Sequence, residues 1–357
     1  MVLLSVTMND GVMPRSEIEG KDNSSEDKSN YKVVRLGDMV YNSMRMWQGA
    51  NGISPCDGIV SPAYTVLMPK ASICNGYFAA LFKSPNLINE FRKNSQGMTS
   101  DTWNLKYPQI KTIKVHIPPL SEQNRVADML STLERRIAKQ AQLVETLKKY
   151  KRGVVRTLLT PDSCCIEDAT WTTAKMGDLG SFTKGAPLSK ADIAPDGTPF
   201  ILYGELYTTY HEVINAVIRR TKAQPEKQYY SHVGDVIIPT SGETPEEIST
   251  AACVMLPDII LAGDLNIFRS SKIDGRIMSY ILNHIVNGQI ARIAQGKSVV
   301  HIQASELSKI EISYPDYDTQ CKMISIFETI TTRIKSIENE LTYLRTMQKA
   351  LLQRLFI

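Results

Sequence analysis

Residues 121–158 read SEQNRVADMLSTLERRIAKQAQLVETLKKYKRGVVRTL, and their apolar residues recur at heptad spacing. With Val126 at a d position, the d series is Val126, Leu133, Gln140, Leu147 and Val154, and the a series is Leu130, Ile137, Val144, Lys151 and Leu158. Eight of the ten are aliphatic and the stretch contains no proline, so the spacing predicts one unbroken helix. Pro118-Pro119 stand just before it and Ser121 offers a side-chain cap. At 1.5 Å per residue such a helix is on the order of 55 Å long. That far exceeds the usual three turns, and a seam this narrow asks for another helix rather than a broad domain surface.

A second such segment lies downstream, and it is a repeat. Gly37-Asp38 recurs as Gly234-Asp235, Pro118 as Pro315, Gln123 as Gln320, Arg136-Ile137 as Arg333-Ile334, and Leu158 as Leu355, each pair separated by the same 197 positions. Solenoid repeats have periods of roughly 20–50 residues, so each copy here is a domain-sized unit with its own core. The shifted seam reads Met323, Ile330, Ile337, Leu344, Leu351 at d and Phe327, Ile334, Leu341, Gln348, Leu355 at a, nine of ten apolar. The two seams most simply bury each other as a coiled-coil pair, with Leu130, Leu133, Ile137, Val144 and Leu147 facing Ile330, Ile334, Ile337, Leu341 and Leu344. Gln140, Lys151 and Gln348 are polar seam positions that cost stability and help fix register. The spacing alone leaves the orientation of the pair open.

Before Pro118, and from Trp171 to Pro315, the sequence is mixed α/β. Val33 to Val40, Val213 to Ile218, Val233 to Ile238 and Ile310 to Ile312 read as short strands; Tyr77 to Arg92 and Arg276 to Ile290 read as helical. Pro161, Asp162 and Ser163 mark a linker. The predicted order is a first domain (1–119), a first spacer helix (120–159), a linker (160–170), a second domain (171–315) and a second spacer helix (316–357).

Composition narrows the function classes. The chain has 357 residues, 43% hydrophobic and 22% charged, with Lys+Arg 41 against Asp+Glu 37. A net charge of +4 permits a polyanionic partner only if the charges are sorted by face. Six cysteines form no C-x-x-C, which argues for reduced thiols rather than a zinc site or a disulfide framework. With no run of about 18 apolar residues and no signal h-region, the expectation is a cytoplasmic protein with no membrane partner.

Catalytic signatures are missing where they would have to appear. Gly296-Lys297-Ser298 resembles the end of a phosphate-binding loop, but Ala291 stands where that loop needs its first glycine. Ser61-Pro62-Ala63-Tyr64 lacks the amide and second proline of a base-holding methyltransferase motif, and His211-Glu212 lacks a second histidine at metal-binding spacing. The expectation is therefore a binder without catalysis or resident metal. Two diverged domains on a rigid spacer suit a partner with two sites at fixed separation, and duplex DNA repeats every 34–36 Å or so. In the first domain Arg45, Trp47, Gln48 and Asn51 place base-reading donors and an aromatic in a turn. In the second, Lys184, Lys190, Arg219, Arg220, Thr240, Ser241 and Lys297 are the candidate contacts. Thr240-Ser241-Gly242-Glu243 occupies the place equivalent to the first reading turn and is unlike it, as two readers of different sequences require.

The string Ile117-Pro118-Pro119-Leu120-Ser121-Glu122-Gln123 followed by the long helix resembles the central region of the specificity subunits of type I restriction-modification enzymes. Trp171 with Lys175-Met176-Gly177-Asp178-Leu179 resembles the opening of that family's target recognition domains. The resemblance implies two such domains, each reading half of a split DNA site and separated by helices paired as an antiparallel coiled coil. It also implies docking of two methyltransferase subunits that carry S-adenosylmethionine, which a translocase-nuclease subunit can join, and no cofactor in this chain. Two departures stand out. Trp171 has no counterpart in the first copy, where Leu3-Leu4-Ser5-Val6 already lies inside the domain, about one strand late. Tyr314-Pro315-Asp316-Tyr317-Asp318-Thr319-Gln320 keeps only the proline and glutamine of the first motif, which implies altered docking at that end. The competing reading is a coiled-coil scaffold joining two proteins without DNA, and salt-dependent DNA affinity separates the two.

Overall fold

Both long helices form, at Leu120–Leu158 and Tyr317–Leu355, each of 39 residues. The computed structural model describes residues 1–8, 10–22, 24–294 and 300–356. The chain divides into one unit of Met1–Val144 with Ser336–Ile357 and a second of Glu145–Lys335, so each unit takes part of both helices. On the first helix Leu130, Leu133 and Val144 are buried, and Ile137 and Leu147 half-buried; on the second, Ile334, Ile337, Leu341 and Leu344 are buried and Ile330 half-buried.

In the first unit, Val2–Val6 pairs in parallel with Gly58–Val60 and antiparallel with Val12–Pro14, and Lys32–Val34 closes that sheet. A second sheet sets Met39–Asn42 between Asn51–Ile53 and Tyr64–Leu67. The predicted strand Val33 to Val40 is two strands, because Gly37 turns the chain between them at φ +87°. Likewise the predicted helical stretch Tyr77 to Arg92 is two helices, Asn75–Leu81 and Pro85–Asn94. Pro85 lacks the N–H to continue the first helix, and the Ser84 hydroxyl accepts the Leu87 N–H at 3.4 Å to start the second. Leu130 of the first long helix shares a core with Tyr77, Phe91, Leu351, Leu352 and Phe356.

The second unit repeats this plan. Thr198–Leu202 pairs in parallel with Ile260–Ala262 and antiparallel with Arg220–Thr221, matching the trio built on Val2–Val6. Asp235–Pro239 lies between Ala252–Val254 and Leu265–Ser270. The five-stranded sheet gains Val213–Ile214 and Gly180–Lys184 at its edges, and Trp171–Lys175 pairs with Glu311–Pro315. Predicted helix Arg276 to Ile290 is broken into Gly275–His284 and Asn287–Ile293. Val154, Val155 and Leu158 pack with Met323, Ile324 and Phe327 in this unit's core. Among the described residues no helix is long and apolar enough to cross a membrane.

Candidate nucleic-acid interface

The repeated residues do the same local work in both units. Gly37 and Gly234 hold φ of +87° and +94°, conformations that favour glycine, and the adjacent carboxylates close the turn. Asp38 accepts the Arg35 N–H at 2.9 Å, and Asp235 accepts the His232 N–H at 2.8 Å. The two buried glutamines form a second matched device. Gln123 donates to the Pro118 carbonyl at 2.9 Å and accepts the N–H of Cys74, the cap of Asn75–Leu81, at 3.0 Å. Gln320 donates to the Pro315 carbonyl at 2.8 Å and accepts the N–H of Asp274, the cap of Gly275–His284, at 2.9 Å. One amide thus satisfies the N–H at the start of a neighbouring helix and a carbonyl of the segment leading into its own helix together. Proline and glutamine, the two residues that the second motif keeps, are the two partners in that bond.

The reading turn of the first unit is partly an internal scaffold. Arg45 is exposed and Gln48 half-buried. Trp47 does not present its ring for stacking: it meets Trp103 edge-on at 5.1 Å, carries the Arg92 guanidinium 5.7 Å above its face and donates its N–H to Met44. Asn51 is 0% exposed, sits in a sheet strand and donates to the Gly49 carbonyl, so it cannot reach a base as it stands. These two assignments are corrected: Trp47 and Asn51 shape the turn that presents Arg45.

In the second unit three candidates gather around Asp264 and Asn266. Lys184 donates to Asn266 at 2.8 Å, the Ser241 hydroxyl to Asp264 at 2.9 Å, and the Thr240 N–H to the Asp264 carbonyl. Lys184 is exposed, but Ser241 is buried, so its hydroxyl is a structural donor and not a base reader. Arg219 and Arg220 lie elsewhere, held by Glu205 at 3.0 Å and by the Gly197 carbonyl at 2.8 Å. The short helix Glu205–Thr208 links the two groups, since Tyr207 donates to the Ser241 carbonyl. Lys190 is exposed at the start of a 3-10 turn, and Lys297 lies outside the described residues.

Sequence patterning missed an ion cluster. Lys151 and His284 bind the two oxygens of Glu212 at 2.9 and 2.8 Å, and the Lys151 ammonium lies 5.3 Å from the Tyr280 ring centre. Burial works to raise the Glu212 carboxyl, but the His284 hydrogen bond and the Lys151 charge outweigh it and hold the group well below the usual carboxylate range. Lys151 was legible only as a polar seam position; its partners lie 61 and more residues away. Both carboxylate oxygens are occupied, so the cluster anchors helix to domain within this unit. Among the described residues no group of three metal-ligating side chains is assembled.

Comparison with known proteins bears on both copies at once. The family described as type I restriction modification DNA specificity domain matches residues 6–149 and again 168–345. The chain belongs to this family. As a specificity-family member it is 22% identical over 351 residues to a Methanocaldococcus jannaschii protein named for the MjaX specificity subunit, covering 89% of this chain and 75% of the relative. It is 21% identical over 320 residues to the type I restriction enzyme MjaVIII specificity subunit of the same organism, covering 82% and 71%. Its fold is similar to that of the S subunit of a type I restriction-modification system from M. genitalium, at TM-score 0.61 and 15% identity, covering 99% of this chain and 90% of that one.

Proposed function

We propose that this chain is the DNA specificity subunit of a type I restriction-modification complex, with each recognition domain reading one half of a bipartite, asymmetric site. The observation that carries the reading is that the specificity family matches both copies of a duplicated chain whose exposed turns have diverged. Arg45 and Gln48 are suited to the first half-site, because guanidinium and amide groups make paired hydrogen bonds to purine edges in the major groove. Lys184 and Arg219 supply donors on the second domain, and Lys190 and Arg220 suit phosphate contacts.

The two long helices, in this reading, pair as an antiparallel coiled coil and set the distance between half-sites. Support comes from the first unit, where contacts run in opposite senses along the two helices. Gln348 reaches Glu134, while Arg136 and Gln140 both reach Glu340 at 2.7 and 2.9 Å. The helices also dock two methyltransferase subunits, which bind S-adenosylmethionine and perform the methylation; a restriction/translocase subunit joins that complex. This chain is then non-catalytic, holds no cofactor and works in the cytoplasm with double-stranded DNA. Methylome sequencing of cells with and without the gene tests the reading. A methylated bipartite motif that disappears with the gene is expected; an unchanged methylome refutes it.

A further inference from the structure

Arg219 and Arg269 lie in the same unit, each ion-paired to a buried carboxylate, with side chains 44% and 39% exposed. They spend their guanidinium groups differently. Arg269 gives both Nε and Nη2 to Asp235, at 2.7 and 2.6 Å, so a structural partner fills one edge of its fork. Arg276 goes further, with Nε and Nη2 on Asp274 and Nη1 on Glu328. Arg219 gives only Nε, to Glu205 Oε1 at 3.0 Å, and among the described residues neither of its terminal nitrogens has a partner. Its exposure matches that of Arg269, so depth does not explain the contrast.

The arm behind this free fork is fixed at three points. Glu205 is 6% exposed, and its other oxygen accepts the buried Leu202 N–H at 3.0 Å, which holds the carboxylate in place. The Arg219 carbonyl accepts the Phe200 N–H at 3.1 Å, and the preceding N–H, of Ile218, donates to the Tyr210 hydroxyl at 3.2 Å. Such a clamp removes in advance much of the rotamer freedom that an arginine gives up on binding. It also cancels charge. Arg219 and Glu205 together carry none, which makes the pair a weak phosphate contact, since that attraction is coulombic. What remains is a planar pair of terminal donors, and guanine presents two adjacent acceptors, N7 and O6, in the major groove. Adenine sets an amine donor beside its N7 and does not fit a fork that only donates.

We propose that Arg219 reads a guanine in the half-site of the second domain and that Glu205 is its positioning residue, an inference that rests on the DNA reading proposed above.

The test co-expresses the full chain with the methyltransferase of its own system and reads the motif by methylome sequencing. Binding of the purified complex is then measured on duplexes whose motif guanines are replaced one at a time by 7-deazaguanine, which lacks the N7 acceptor. With the unsubstituted chain, one replacement in one half-site should weaken binding about tenfold. Arg219→Ala, and Arg219→Lys, which keeps the charge without the fork, should bind that duplex and its unmodified form equally. Glu205→Gln can still accept the Leu202 N–H but turns an amide NH2 toward Arg219. It should lose most of the discrimination at that guanine and keep its response to every other replacement, which a general folding defect would not do. If no guanine becomes indifferent in the Arg219 variants, the inference is overturned. Equal weakening on every duplex would make Arg219 a phosphate contact and overturn it too. Absence of any bipartite motif from the unsubstituted chain sinks the proposed function, and this inference with it; a motif indifferent to Arg219 sinks this inference alone. Should Glu205→Gln not fold by circular dichroism, the two Arg219 variants decide the outcome.

Discussion

Replacing Gln320 with alanine removes one side chain that bonds in two directions. The bond to the Pro315 carbonyl contributes about 1 kcal/mol net, and stranding the Asp274 N–H at a helix start costs about 2 more, so the second unit should lose roughly 3 kcal/mol. Trp171 is a local reporter, because it lies in register opposite Pro315 in the adjoining strand. In a Trp47→Phe, Trp103→Phe background it reports the second unit alone, since both other tryptophans lie in the first. Urea titration should show a lower midpoint with an unchanged slope. Gln320→Glu sharpens the test. Its carboxylate can still accept the Asp274 N–H, but it cannot donate to Pro315 and repels that oxygen. Protonation restores a donor, so this variant should recover relative to Gln320→Ala as pH falls. A loss below about 0.5 kcal/mol in the alanine variant, or no difference in pH response between the two, refutes the role assigned to the amide.

Other outcomes follow from the same geometry. Gly37→Ala and Gly234→Ala meet no atom within 4 Å of the added carbon, so each should cost only the strain of positive φ, about 1–2 kcal/mol, and the two should match in urea titration. Lys151→Met leaves the buried Glu212 short of a partner and should cost about 3 kcal/mol, with the loss confined to the second unit when unfolding is followed by hydrogen exchange. Glu212 has its carboxyl depressed below the ordinary 4.5, so the stability it adds is complete above that pH and is lost as pH falls through the folded value. Urea midpoints should therefore drop more steeply between pH 5 and pH 3, where the unfolded chain takes up the proton and the folded carboxylate does not, for the native chain than for Glu212→Gln. Arg45→Ala should relax base preference in one half of the methylated motif by roughly 1–3 kcal/mol and leave the other half intact, as read by binding to half-site variants.

The helices were legible because ten seam positions with two or fewer polar exceptions determine period and length without any tertiary knowledge. The duplication was legible because Gly37-Asp38 and Gln123 recur at a constant offset as Gly234-Asp235 and Gln320, and each pair holds the same turn or makes the same bonds in its own unit. Breaks were harder. Ser84-Pro85 interrupts a helical pattern with a signal one dipeptide long, and Val33 to Val40 looks like one strand unless the glycine is read as a turn. The contact surface was least legible. Trp47 and Arg45 are neighbours with the same promise for DNA, yet only the fold reveals that Trp103 and Arg92 enclose the first. Asn51 and Ser241 carry suitable donors but spend them on Gly49 and Asp264. The Lys151, Glu212 and His284 cluster joins three distant segments, and no local pattern announces it.

If the two long helices pair and measure the separation of half-sites, lengthening both must lengthen the spacer between them. A heptad inserted after Gln140 and another after Glu340, which are hydrogen-bonded neighbours, preserves the seam and lengthens both helices by about 10.5 Å. At 3.4 Å per base pair, that is about three base pairs. Methylome sequencing of cells carrying the lengthened chain should return the same two half-sites with a spacer longer by about three base pairs, whereas an unchanged spacer with methylation intact would contradict the claim.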